Sequence, residues 1–79
     1  MTCCLMFRND PAKPASRFYR VEISANLFQE FSVLREWGFV GCKGRQMIGL
    51  FPDLLSASHA ADKIRETNLR RGYARVDLH

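Results

Sequence analysis

The sequence has little of what builds covalent or metal-held frameworks. Its 79 residues contain three cysteines: Cys3 and Cys4 are adjacent, and Cys42 stands alone. An odd count without disulfide spacing points to a reducing, cytoplasmic compartment. Two histidines, His59 and His79, share no C-x₂₋₄-C or H-x₃₋₅-H pairing with those thiols, so neither a structural zinc site nor any other metal or cofactor is expected. There is no glycine-rich loop leading into Lys-Ser/Thr, which argues against a nucleotide hydrolase. No apolar run nears the roughly 20 residues needed to span a bilayer. The start, Met1 to Phe7, lacks the basic n-region and long apolar h-region of a secretory leader. A soluble protein without a membrane role is expected.

Acidic charge is also scarce. Eight Asp and Glu stand against twelve Lys and Arg, a net charge of +4, and nine of the twelve cations are arginine. Solubility does not require that bias; the planar guanidinium fork suits phosphate contact and stacking. A polyanionic partner is favoured. Catalysis is not expected, because Cys42 beside Lys43 has no neighbouring His–acid pair to activate it. His59 reads as a surface or core-edge residue. With 47 % apolar residues the chain has room for one small core and one functional surface.

Periodicity organises the chain into an α+β fold. Residues 1–16 carry Pro11 and Pro14 among small polar residues and read as a flexible N-terminal arm, with an edge strand over residues 3–7 as its only ordered candidate. A single domain is expected over residues 17–79. Phe18 to Ser24 alternates, with Tyr19, Val21 and Ile23 on one face and Arg20, Glu22 and Ser24 on the other. Ala25 to Phe28 supplies a turn. In the next strand, Phe31 to Trp37, the residues Phe31, Val33, Arg35 and Trp37 share a face. Gly38, Gly41 and Gly44 punctuate a tight connection to a third strand, Arg45 to Phe51. Beyond Pro52 the period becomes helical, with Ala57, Ala60, Ala61 and Ile64 on one stripe. Asp53 or Ser56 can cap its start, and Gly72 suits the position after its last turn. Tyr73 to Leu78 alternates again as a final strand. The expectation is a small antiparallel sheet in the order β-β-β-α-β with one helix packed on it.

Two groups of cations follow. Lys63, Arg65, Arg70, Arg71 and Arg75 crowd the end of the helix, a bias that helix-dipole complementarity partly explains. Arg35, Lys43 and Arg45 flank Trp37 and the glycine loop. Composition alone favours core packing for a tryptophan. Cations interleaved with an exposed aromatic ring are instead what nucleic-acid contact uses, charge for phosphates and a π-face for a base or sugar.

Val33-Leu-Arg-Glu-Trp-Gly-Phe-Val-Gly-Cys-Lys-Gly-Arg45 resembles the signature of the WGR domain family, named for its Trp-Gly-Arg tripeptide and continuing into a Gly-x-x-Gly loop, here Gly41 and Gly44. Phe18-Tyr-Arg-Val-Glu-Ile23 is similar to the family's first strand, and Leu69-Arg-Arg-Gly-Tyr73 to the end of its helix. The resemblance covers about residues 17 to 76 and suggests a small stand-alone protein of bacterial type, related to the WGR domain of poly(ADP-ribose) polymerases. In those polymerases the domain binds DNA near a break, with the Trp stacking at the 5′-terminal nucleotide, and relays binding to the catalytic region. By resemblance, Trp37 inherits the stacking role, and Arg35, Lys43 and Arg45 are candidate phosphate contacts; the charge at the helix end adds Arg70 and Arg71 to these. The third signature position is Phe39 rather than Arg, which removes the residue serving interdomain contacts and leaves Phe39 as core or as an apolar contact to a partner chain.

The function expected is therefore a non-catalytic nucleic-acid-binding module, DNA favoured over RNA, acting at ends or breaks with weak sequence specificity. The alternative is a protein-interaction or homodimerisation module using Phe39, Phe28 and the apolar start (Leu5, Met6, Phe7).

Overall fold

The structure, a computed structural model, describes residues 2–9 and 16–76. Four strands precede the helix: β1 (Thr2–Arg8), β2 (Arg17–Ala25), β3 (Phe31–Phe39) and β4 (Arg45–Phe51). Helix α1 (Leu54–Arg70) follows, and the two-residue β5 (Ala74–Arg75) closes the chain. All pairings are antiparallel, in the spatial order β4-β3-β2-β1-β5. The α+β class and the single helix on an antiparallel sheet are as the alternation predicts.

The first strand is where sequence and structure part. Thr2–Arg8 is no arm: it pairs with β2 along its whole length, and β5 joins its other side, so it lies inside the sheet rather than at its edge. Cys4 and Met6 alternate onto the face that the helix covers, and Met6 is the largest fully buried side chain among the described residues. A strand this short gains its order from that burial. Residues 10–15, the proline-containing part of the expected arm, lie outside the described residues. The final strand is shorter than the expected Tyr73 to Leu78: it spans Ala74–Arg75, Val76 still donates its N–H to the Leu5 carbonyl, and residues 77–79 lie outside the described set.

The core is one layer thick. Cys4 and Met6 of β1, Tyr19, Val21 and Ile23 of β2, and Val33 of β3 meet Ala57 and Ala61 of α1. The two alanines let the helix backbone approach the sheet, and α1 packs on β2 and β3 and reaches β4. Residues 31, 33, 35 and 37 share the helix side, each opposite its odd-numbered partner on β2. Among the described residues the other face of the sheet carries no helix, and polar contacts along and across its strands tie it together. Arg20 reaches Glu22 and Glu36 at 3.8 and 3.4 Å, and Gln46 donates to Glu36 at 2.7 Å.

Local chemistry sets the ends of the elements. Asp53, rather than Ser56, caps the helix: its Oδ1 accepts the Ser56 N–H at 2.7 Å. At the other end Tyr73 N–H donates to the Asn68 carbonyl and Gly72 N–H to that of Leu69. This is the Schellman pattern, and it requires the positive φ of +95° that Gly72 adopts. Asn68, buried beneath this turn, gives its amide to the Ile64 carbonyl. In the β2–β3 turn the Asn26 side chain accepts from the N–H groups of Phe28 and Glu30, and Leu27 and Phe28 are left in solvent.

Two expectations test this account. Met6→Ala should destabilise the fold by about 2–5 kcal/mol in chemical denaturation, as for any large side chain removed from a packed core; an arm residue would give almost nothing. The Ser56 N–H holds the Asp53 carboxyl below its ordinary 3.8, so its stabilising effect is present above that value and lost as pH falls through the lower folded-state pKa. The gap in melting temperature between the native chain and Asp53→Ala should therefore be full at neutral pH and shrink below about pH 3.8.

Candidate nucleic-acid interface

The glycine connection between β3 and β4 folds back onto the end of its own strand. Gly41 turns the chain with a φ of +86°, and Cys42 N–H donates to the Phe39 carbonyl. The return leg then passes so close that a Cβ on Gly44 would lie 2.8 Å from the Trp37 carbonyl oxygen and 3.0 Å from the Phe18 ring, and one on Gly38 would lie 3.0 Å from Gly44 Cα. Only hydrogen fits at these two crossings. Because the loop hugs the strand, Lys43 and Arg45 are delivered beside Trp37, and Arg45 becomes its cross-strand neighbour.

Trp37 lies half-buried at the rim of the core. Its ring stacks on Tyr19, with centroids 5.8 Å apart and planes 13° from parallel. Tyr73 meets Tyr19 edge-on at 6.0 Å. The Arg35 guanidinium sits 5.7 Å from the Trp37 ring centre and donates to the Met47 sulfur at 2.8 Å. The indole is thus neither sealed in the interior nor standing free.

On one side of this aromatic group is an open cleft of about 550 Å³, lined by Arg17, Trp37, Gly38, Phe39, Cys42, Lys43, Arg45 and Tyr73. On the other side, a second of about 390 Å³ runs between β3 and the helix, with Tyr19, Arg35, Lys63, Thr67 and Arg71 among its walls. Among the described residues no carboxylate lines either cleft. The described acids are elsewhere: Glu22 and Glu36 on the uncovered sheet face, Glu30 in the β2–β3 turn, Asp53 at the helix cap, and Asp62, ion-paired with Arg65, and Glu66 on the far flank of the helix.

The structure brings Trp37, Lys43 and Arg45 to one cleft and Arg35 and Arg71 to the other. Arg70 is exposed in the last helical turn and lines neither. Phe39, expected as core or partner contact, is exposed, and the Arg17 guanidinium lies 5.1 Å over its ring. Arg17, Lys63 and the two tyrosines are functional candidates that sequence reading passed over. Arg17 was recoverable: extending the alternation of Tyr19, Val21 and Ile23 one step back places it on the same face, opposite Phe39. Lys63 was recoverable too, since positions 63, 67 and 71 form an i, i+4, i+8 stripe. Among the described residues no three metal-ligating side chains cluster, and no helix is long and apolar enough to cross a membrane.

Comparison with known proteins fits this geometry. The model of the WGR domain family matches residues 2–78. The chain belongs to the WGR family. That match takes in β1, which the resemblance read from the residues alone had left out. A curated relative, the "Uncharacterized protein y4dW" of Sinorhizobium fredii (strain NBRC 101917 / NGR234), is 33% identical over 66 residues. The alignment takes in 84% of this chain and 32% of the relative, so the chain spans about a third of that protein's length. In this WGR domain the signature tripeptide reads Trp37-Gly38-Phe39, and a guanidinium still borders the cleft at that point, brought by Arg17 from the neighbouring strand.

The close crossing at Gly44 is directly testable. Gly44→Ala should cost about 1–3 kcal/mol, the usual range for forcing a methyl into a packed site. The intrinsic fluorescence of Trp37, the only tryptophan, should shift as well. An unchanged spectrum and melting temperature would mean that the loop does not bear on the ring.

Proposed function

We propose that this WGR domain is a non-catalytic nucleic-acid-binding module that engages DNA ends or breaks with weak sequence specificity. What supports this most is the gathering of six cations, Arg17, Lys43 and Arg45 in one cleft beside Trp37 and Arg35, Lys63 and Arg71 in the other, with no carboxylate among the described residues that line them. Phosphate contact needs concentrated positive charge that is not already neutralised, and both clefts supply it. Trp37 covers a terminal base or sugar with the part of its ring that Tyr19 leaves open. Arg17, Lys43 and Arg45 hold phosphates in the larger cleft, Arg35 and Arg71 do so in the smaller, and Arg70 adds charge nearby. Contacts of this kind are made to backbone and to a ring face, so they carry little sequence information. The free thiols of Cys3, Cys4 and Cys42 fit a reducing, cytoplasmic setting.

Stacking also explains the placement of the ring. An indole anchored on Tyr19 is already oriented, so little side-chain freedom is lost when a base covers it. The family relationship supports binding as the role, while the preference for ends rests on the half-open ring.

If about four phosphates are engaged, affinity for duplex DNA should fall roughly 100-fold between 50 and 200 mM salt. Lys43→Gln and Arg45→Gln should each lower the slope of that dependence by about one. Trp37 fluorescence should respond more strongly to a blunt duplex carrying a 5′ phosphate than to a closed dumbbell of the same sequence. Equal responses would remove the preference for ends, and binding that does not vary with salt would remove nucleic acid as the ligand.

A further inference from the structure

The two edges of the sheet are unlike. On one side β5 is two residues long, as short as an edge strand can be. On the other, β4 presents seven residues, and among the described residues no strand lies beyond it. Natural sheets guard such an edge with lysine, proline, a bulge or inward charge. From Gln46 to Leu50, β4 has none of these. Met47 is 54% exposed, Ile48 63% and Leu50 62%.

We propose that β4 pairs with β4 of a second copy of this chain, antiparallel about a two-fold axis at Ile48, joining two sheets into one. This surface differs from the Phe39, Phe28 and N-terminal residues that sequence reading offered for dimerisation. Phe39 lies under Arg17, and Met6 is consumed by the core.

The register follows from the strand itself. A two-fold that runs the strands antiparallel keeps both helices on one side of the joined sheet, and only centring on Ile48 pairs all seven residues. Ile48 then faces its own copy and Gln46 faces Leu50 of the other chain. Met47 faces Gly49, which has no side chain on the helix side of the edge. Beside Gly49 lies a mainly apolar groove of about 210 Å³, walled by Val33, Phe51, Ala60 and Ile64, with Arg35 and the chain's own Met47 also in its lining. The thioether of the second copy's Met47 enters that groove against the Phe51 ring, which lies 3.2 Å from where a Cβ on Gly49 would stand. A strand glycine commonly marks such a close approach, and flexible methionine suits an irregular slot.

Charge permits the same arrangement. Arg45 is the only charged residue of β4. In this register it lies opposite Phe51 of the other copy, a cation–π partner, and the two Arg45 positions stand about 20 Å apart along the strand. That exceeds the screening length of about 8 Å in physiological salt. With only seven residues a side against the ~20–30 of a standard interface, the dimer belongs to the weak, reversible class.

Sedimentation equilibrium of the full chain, freed of nucleic acid, tests this from about 10 μM to 1 mM. A monomer–dimer equilibrium with a dissociation constant on the order of 100 μM is expected. Higher salt should tighten it, because each copy carries +4, whereas salt weakens DNA binding. Ile48→Lys sets two like charges face to face and should weaken association about tenfold or more. Mixing Ile48→Lys with Ile48→Glu should restore it as a heterodimer, which only a self-pairing position can do. The side chain is exposed, so both variants should melt as the native chain does, and Met47→Ala gives an independent check on the groove. A monomeric mass throughout the range, a dimer indifferent to Ile48→Lys, or no recovery on mixing would each overturn the proposal. None of these results depends on whether the clefts bind DNA.

Discussion

The stack of Trp37 on Tyr19 joins the two halves of this molecule. Tyr19 is a core residue, buried between Met6 and Trp37 in the cross-strand row, and its ring is clamped edge-on by Tyr73. Trp37 rests on that ring and forms a wall of the basic cleft. An offset stack of this kind is worth about 0.5–1.5 kcal/mol beyond its buried area. Its larger consequence is positional, because a ring held on one face by the core can offer only its remaining surface to a ligand. Arg35 and Arg45 then take their places from the same ring, one 5.7 Å from its centre and the other next to it across the strands.

Charge segregation is the second constraint, and topology enforces it. The helix runs back along the sheet from the turn end towards the glycine loop, so its cationic last turn arrives beside Trp37 while its acidic flank, Asp62 and Glu66, faces the β1 side. Other described carboxylates lie away from the clefts, Glu22 and Glu36 held by Arg20, Glu30 in the β2–β3 turn, and Asp53 at the helix cap. A net charge of +4 spread evenly would be a weak field. Gathered at one end, with the exposed apolar side chains of the β2–β3 turn at the other, it gives the molecule two chemically distinct ends.

Most of the architecture was legible in the residues. The alternation of Tyr19, Val21 and Ile23 and the helical stripe of Ala57 and Ala61 are strong periodic signals, and both became core. Thr2–Arg8 was less legible. Its alternation is carried by Cys4 and Met6, with apolar Leu5 and Phe7 between them, so no polar face announces a strand, and two prolines nearby read as disorder. Its order comes from pairing on both sides, a non-local cause. For the site, the cations next to Trp37 in sequence and Arg71 at the helix end were found, and Arg17 of β2 and Lys63 of the helix were not. Arg17 and Lys63 are 20 and 26 positions away along the chain, and only the sheet register and the helix packing make them neighbours.

By itself the sequence determined the strand and helix periods, the capping chemistry of Asp53 and Gly72, and the surplus of arginine, because each is a local property of a few successive residues. Tertiary structure alone decided how far Trp37 is buried, which cations share a cleft with it, that the first strand belongs inside the sheet, and that β4 is left as an open edge. Those outcomes depend on which backbones lie side by side, and pairing between distant segments is settled by the burial of a shared core.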